Sequence, residues 1–477
     1  LTCNVLISLK RLFLPTLALS ATSLLLVAPA RATTISVDPA RGSDRASGTR
    51  SNPLASVTEA WNRLPAVTRR RTTIELAPGN YRGRTPVYWE GHSGSARAPI
   101  VIRSRYRRGS RRARLPGVNI FGSDHLEFRD LVFRDGGDVV HCEQCSNFTL
   151  RRVDAYGRDA QETVKINQSR KVRILDSRIG GAGDNAIDFV AVAGGLIRGN
   201  VVHRAGDWCG YAKGGSVGIV VKGNLFTRCG TGGFTAGQGT GFQFMTAPWL
   251  QYEAVGVVIR DNTITDTEGA AIGVQGGFNV LVENNVARRV GRRSHVLEAL
   301  YGSRSCDGQP GDEGRERCAA YLASGGWGTT VVDDGTNYIR IGNRHVYFVG
   351  NVVLNPSPYK SQWQQLEVPG PFGAQPGSGV PADASAASDL KFLGNVIWNG
   401  TAEMPIGADG CDDANPTCNP QQLVTDNNFN RRRPELRSRR GRLAKSGWVR
   451  SYRPFRAPAP DWSDLPAGSA PWRSWPR

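Results

Sequence analysis

The sequence predicts an all-β fold, a right-handed parallel β-helix with an N-terminal helical cap. Three observations predict it. First, an apolar-x-apolar-x-x-Asn-x-apolar signature recurs along the chain. Asn200, Asn224, Asn262, Asn285, Asn351 and Asn395 hold its polar position, and Leu131, Val153 and Ser177 hold it in earlier copies. Second, successive copies lie 22, 24, 23, 24, 38, 23, 66 and 44 residues apart, so short intervals are single coils and long ones carry insertions. Third, the 477 residues include 57 Gly but only 2 Met, and the apolar segments are β-branched, which favours short strands and turns over helices. Leucine-rich repeats share the period but need a regular leucine framework, and Leu is sparse here. An inward Asn repeated at one bend of a solenoid bonds backbone groups that the turn leaves unpaired, so this column is expected to be structural.

The elements follow in order. Lys10 and Arg11 precede an apolar run from Leu12 to Val27, with Ala-x-Ala sites at Ala28-Pro29-Ala30 and Ala30-Arg31-Ala32. Residues 1–32 therefore read as a secretory signal, although Leu1 leaves the true start open. No later stretch is long and apolar enough to span a bilayer. Residues 33–428 form the β-helix domain. Thr34–Val37 and Thr73–Leu76 alternate as strands, and Ala55–Leu64 has helical spacing with Val57, Ala60, Trp61 and Leu64 on one face. Such a helix covers the open end of a solenoid. Insertions near 291–342 and 355–388 are loops of the kind that build binding walls. Residues 429–477 are basic and Pro-rich and read as a disordered tail.

With 60 basic and 41 acidic residues, the formal net charge is +19, which points to nucleic acid, an anionic membrane or an acidic polymer. Apart from Cys3 in the signal, eight cysteines fall into local pairs: Cys142/Cys145, Cys209/Cys229, Cys306/Cys318 and Cys411/Cys418. That is the simplest disulfide pairing and suits an oxidising compartment, hence a secreted, extracellular or periplasmic protein. A redox or zinc role for the Cys142-x-x-Cys145 pair is the alternative, but no second such pair or spaced His cluster completes a zinc site. Export argues against nucleic acid and leaves an acidic polysaccharide as the expected partner of a monomeric chain.

Stacked by phase, Lys165, Asp188, Lys213 and Gln238 are 23, 25 and 25 residues apart and are expected to form one outward column. Glu162 and Asn185 stand three residues earlier, with Asp184 beside them, and Gln275 continues the column. Carboxylates and an amide oxygen together suit a hard cation, so Glu162, Asp184, Asn185 and Asp188 are candidate Ca²⁺ ligands. Lys213, made neutral with help from the cation and Lys165, would remove the C5 proton of a uronate, and the C4 oxygen would leave by β-elimination. Lys165 nevertheless puts positive charge where calcium would not want it. Tyr211, His295 and Trp327 are candidate substrate contacts. The structural alternatives are an exposed ion-pair ladder of little energy and a loop histidine with satisfied bonds.

These residues resemble the secreted right-handed β-helix polysaccharide lyases of pectin-lyase-like fold, most closely polysaccharide lyase family 9, which includes pectate lyases. Asp184-Asn185-Ala186-Ile187-Asp188 matches that family's Asp-Asp-x-x-Asp calcium run at its first and last positions, and Lys213-Gly214-Gly215 resembles its base segment. The resemblance implies Ca²⁺ at the carboxylates and Lys213 as general base. It departs from the family at Asn185, which replaces a carboxylate, and at Glu162, the sole candidate for an extra ligand one coil earlier. Polygalacturonase-type glycosidases need a Gly-His-Gly segment, and arginine-base lyases a Trp-x-Asp-His motif; the chain has neither. A uronate C5-epimerase shares the proton-abstraction step. A non-catalytic polysaccharide-binding or adhesion β-helix would instead use the polar row with Tyr211, Trp249, Tyr252 and Trp327.

Overall fold

The structure is a computed structural model. It describes residues 32–134, 137–158, 161–245, 251–305, 313–323, 326–328, 339–359, 366–367, 378–400, 408–409, 424–425 and 427–449. Among them the chain winds into three long parallel sheets of 14, 11 and 10 strands. One coil runs through Leu126–Arg129 in the first sheet, Val132–Arg134 in the second and Val140–Glu143 in the third. The next coil begins at Thr149–Arg151, in register beside Leu126–Arg129. Alternation along each strand sends Phe128, Phe133, Ile166, Ile187 and Phe189 into a fully buried core. The residues between them face outwards, which is how the third sheet presents its polar side chains.

The asparagine column forms as expected. Asn200 N donates to Asn224 Oδ1 at 3.0 Å, and the same bond recurs from Asn224 to Asn262, Asn262 to Asn285, Asn285 to Asn351 and Asn351 to Asn395. Each Nδ2 also caps a strand carbonyl, Ile174 O for Asn200 and Ile197 O for Asn224. Ser177 Oγ plays the same part for Val153 N. A shorter ladder through Asn355, Asn399 and Asn430 runs along the ends of second-sheet strands late in the chain.

The cap pairs Thr33–Val37 in register with Thr72–Leu76. Its helix, Val57–Asn62, is shorter than the spacing suggests because the Ser56 side chain accepts Glu59 N and sets the first turn. Trp61 packs on Trp89 at 5.0 Å, and Trp89 meets Phe128 at 5.2 Å, which joins cap to core. Cys142–Cys145 and Cys209–Cys229 are disulfides. Cys318 is also disulfide-bonded, while Cys306, Cys411, Cys418 and the signal segment 1–31 lie outside the described residues. Two disulfides of this kind are compatible with an extracellular protein. No helix of the described residues is long and apolar enough to cross a membrane.

The reading of 429–477 as disordered is corrected over its first part. Glu435–Arg439 and Arg442–Ser446 form an antiparallel hairpin. Leu443 N donates to Thr263 Oγ1 at 3.0 Å, and Lys445 Nζ donates to Asn284 Oδ1 at 2.9 Å and Gly350 O at 2.7 Å. The basic side chains of the hairpin, Arg442 and Lys445, thus dock on bend groups of successive coils. Residues 450–477 lie outside the described residues.

Candidate functional site

The third sheet sets the register of the predicted row, and it differs from the spacing argument. Lys165 pairs with Asp188 as expected, but Asp188 pairs with Tyr211, and Tyr211 with Thr235. Lys213 lies opposite Val190, two residues further along the strand. Gln238 falls beyond the strand Gly232–Ala236, and Gln275 lies opposite Leu300, so neither belongs to the column. The true column reads Asn119, His141, Lys165, Asp188, Tyr211, Thr235, Gly273 and Glu298. Neighbours in it are about 4.8 Å apart.

This column gathers a charged cluster. Lys165 Nζ lies 3.4 Å from Glu162 Oε2 and 3.9 Å from Asp138 Oδ2. Burial disfavours the Lys165 charge, yet Glu162, Asp138 and Asp188 together hold its pKa above the ordinary value, so it stays cationic. Burial pushes Asp138 up, reinforced by its hydrogen bond to Glu162; Glu162 resists the same burial and is held low by Lys165. Asp188 is only 2% exposed. Burial raises its pKa to about 7, with Lys213 and Lys165 pulling it down and Glu162 pushing it up. Tyr211 lies beside Asp188 in register; burial first, then Asp188 and Glu162, keeps the phenol protonated. Asp188 Oδ1 and His141 Nε2 are buried without a hydrogen-bond partner among the described residues. Burial lowers the His141 pKa, so the ring is neutral at pH 7. The spacing argument missed Asp138 and His141, although each stands 24 residues before Glu162 and Lys165 respectively.

Lys213 reaches this cluster from the side. Its Nζ donates to Gln238 Oε1 at 3.0 Å and lies 4.4 Å from the centre of the Tyr211 ring. The following glycines turn the chain with φ of +66° and +76°. A Cβ on Gly214 would come within 2.8 Å of Val190. Gly214 N donates to Glu253 Oε2 at 3.0 Å, and Gly215 N to Glu253 O at 3.0 Å. Glu253 is itself locked by Arg304 Nη2 at 2.6 Å, both side chains fully buried. An insertion thus anchors the turn that follows Lys213. Glu253→Gln, which takes the carboxylate from a buried guanidinium, is expected to destabilise the fold by about 3 kcal/mol. Chemical denaturation checks it.

The predicted calcium ligands do not fit that ion. Lys165 already occupies the space between Glu162 and Asp138. Asn185 Oδ1 accepts Trp208 N at 3.1 Å, and Asn185 Nδ2 donates to Asp184 Oδ1 at 2.8 Å, so the amide is spent on the turn. No group of three or more His, Cys, Asp or Glu among the described residues could hold a metal ion. Two predicted substrate contacts also move. Trp327 packs into an apolar cluster with Tyr252 and Phe278 against the first sheet. His295 is buried at a bend near Glu298, about four coils from Asp188. Trp249 lies outside the described residues.

A family model for the right-handed β-helix region matches residues 111–247. No curated protein matches the chain. Solved structures similar to it include a GH136 lacto-N-biosidase from Eubacterium ramulus, 12% identical, covering 83% of this chain and 67% of that one at a TM-score of 0.43. A mannuronan C-5 epimerase A-module from Azotobacter vinelandii is 13% identical over 75% of this chain and 91% of that one, TM-score 0.40. A pectate lyase is 14% identical over 70% and 79%, TM-score 0.35. The chain is a right-handed parallel β-helix, on its own strand pairing and the family match.

Proposed function

We propose that this protein acts on an acidic polysaccharide, removing the C5 proton of a uronate and expelling the C4 oxygen by β-elimination. The observation that carries it is the third-sheet cluster itself: a locked Lys165 cation, a second amine at Lys213, and a buried Asp188–Tyr211 pair between them. Lys165 neutralises the uronate carboxylate, which acidifies the C5 proton and stabilises the charge that develops next to it. Lys213, the amine free of carboxylate contacts among the described residues, takes that proton in its neutral form. Tyr211, kept protonated, passes a proton to the departing C4 oxygen and recovers one from Asp188, which carries a proton below about pH 7. Calcium has no step in this scheme, because Lys165 stands in its place.

The test is incubation with pectate, alginate and glycosaminoglycans while following absorbance of unsaturated products. Absorbance on a polyuronate supports elimination. Deuterium uptake at C5 without absorbance would make the protein an epimerase. Binding with neither signal would sink the enzymatic reading and leave a binding β-helix. Lys165→Gln is expected to lower kcat/KM about 100-fold, because it removes the charge facing the carboxylate. Added calcium restores nothing in that variant, and chelator leaves the wild type unchanged; steady-state kinetics with and without chelator read both.

A further inference from the structure

The outer face of the second sheet carries charge that this chemistry does not use. Arg134, Tyr156, Gly180 and His203 form one register column over four coils. Three coil spacings make it about 14 Å long. A groove of about 390 Å³ opens there, lined by Arg134, Tyr156, Gly157, Arg158 and Arg204. Among the described residues, no carboxylate lines it. Among the described residues, Arg134, Arg158, Arg178 and Arg204 have no ion-pair partner, unlike Arg112, Arg129 and Arg152 nearby.

The groove has a built floor. Arg178 Nε donates to the Tyr156 hydroxyl at 2.6 Å, and the Arg134 guanidinium sits 5.4 Å from the Tyr156 ring centre. The His203 ring meets the same tyrosine edge-on at 5.7 Å. Gly180 lets the next coil pack close beneath the groove, since a Cβ there would fall 1.9 Å from the His203 carbonyl oxygen. His203 is fully buried, and its Nε2 has no hydrogen-bond partner among the described residues. Burial, then Arg178, Arg204 and Arg228, lowers its pKa to about 4. Among the described residues, no acid pairs with the arginines that line this face. Guanidinium forks match carboxylates two bonds at a time, and a tyrosine held by its hydroxyl presents a rigid amphipathic ring.

We propose that this groove is a second binding site for an acidic polysaccharide, with Arg134, Arg158 and Arg204 holding its carboxylates and Tyr156 lying against a sugar ring. The proposal rests on the acidic-polysaccharide reading above, but places the polymer on a different sheet from the reacting uronate. The test compares Arg134→Ala/Arg158→Ala/Arg204→Ala with a charge-matched control on the exposed hairpin side, Arg431→Ala/Arg437→Ala/Arg439→Ala. Calorimetric titration with polygalacturonate and alginate is expected to show at least tenfold weaker binding in the groove variant and little change in the control. Turnover of short oligouronates stays as in the wild type. Equal binding by the two variants, or no binding of either polymer by the wild type, overturns the proposal. Loss of duplex DNA binding with glycan binding intact also overturns it and assigns the groove to nucleic acid. Groove-dependent glycan binding by a protein that turns over no uronate upholds this site while the catalytic reading fails.

Discussion

Asp188→Asn is expected to lower turnover at least 100-fold while making the fold more stable at pH 8. The kinetic loss follows from the relay, because an amide cannot resupply the proton that Tyr211 gives up. The stability gain follows from linkage. Asp188 has a pKa of about 7 in the fold and 3.8 as an ordinary side chain. A raised folded value means that its favourable contribution is complete below about pH 4 and is lost as pH climbs to about 7. Above that, the wild type holds an ionised carboxylate at a site only 2% exposed. The difference of about three pKa units corresponds to roughly 4 kcal/mol. Asn keeps an acceptor beside Tyr211 and removes the charge. Urea denaturation at pH 5 and pH 8 should therefore show a wild type that weakens between the two and a variant that barely changes. A variant less stable at pH 8 would mean that the Lys165–Asp188 attraction outweighs the burial of the carboxylate.

The coil count was legible because Asn at the bend has one physical task. Asn200 through Asn395 each bond the next coil, so their spacing reports coil length directly. The site was legible only in outline. Lys165, Asp188, Glu162 and Lys213 do come together, but counting 25 residues from Asp188 to Lys213 overran the register by two. The interval from Lys165 to Asp188 is 23, and 23 more leads to Tyr211. The signal was present in the alternation: Ile187-Asp188-Phe189 stacks on Gly210-Tyr211-Ala212, with the inward residues small or apolar. Tyrosine hides in such a pattern because its ring reads as apolar while its hydroxyl does the polar work. Lys213 still meets the cluster, since a four-carbon stem spans the extra two residues and rests on that ring. The calcium expectation meets a related difficulty. Spacing aligns charges without showing that an amide such as Asn185 is already committed to a backbone N–H. The arginine face of the second sheet escaped notice because its residues come one per coil, and only the groove joins them.

Lys213→Ala is expected to cost between about 100-fold and 10,000-fold in kcat, with KM shifting far less. Its amine is the group proposed to accept the C5 proton, so its loss acts on the transition state more than on binding. The surroundings allow a clean deletion. Gly214 and Gly215 are held by Glu253 rather than by the lysine, and the Lys213 side chain contributes one hydrogen bond, to Gln238. The variant should therefore melt close to the wild type. One further variant separates a base from a mere charge. Lys213→Arg keeps the positive charge but has no accessible neutral form, so it should be as inactive as the alanine variant. An arginine variant that recovers wild-type rates would transfer the base role to the column itself, with His141, neutral and unpartnered at Nε2 among the described residues, the residue next in line.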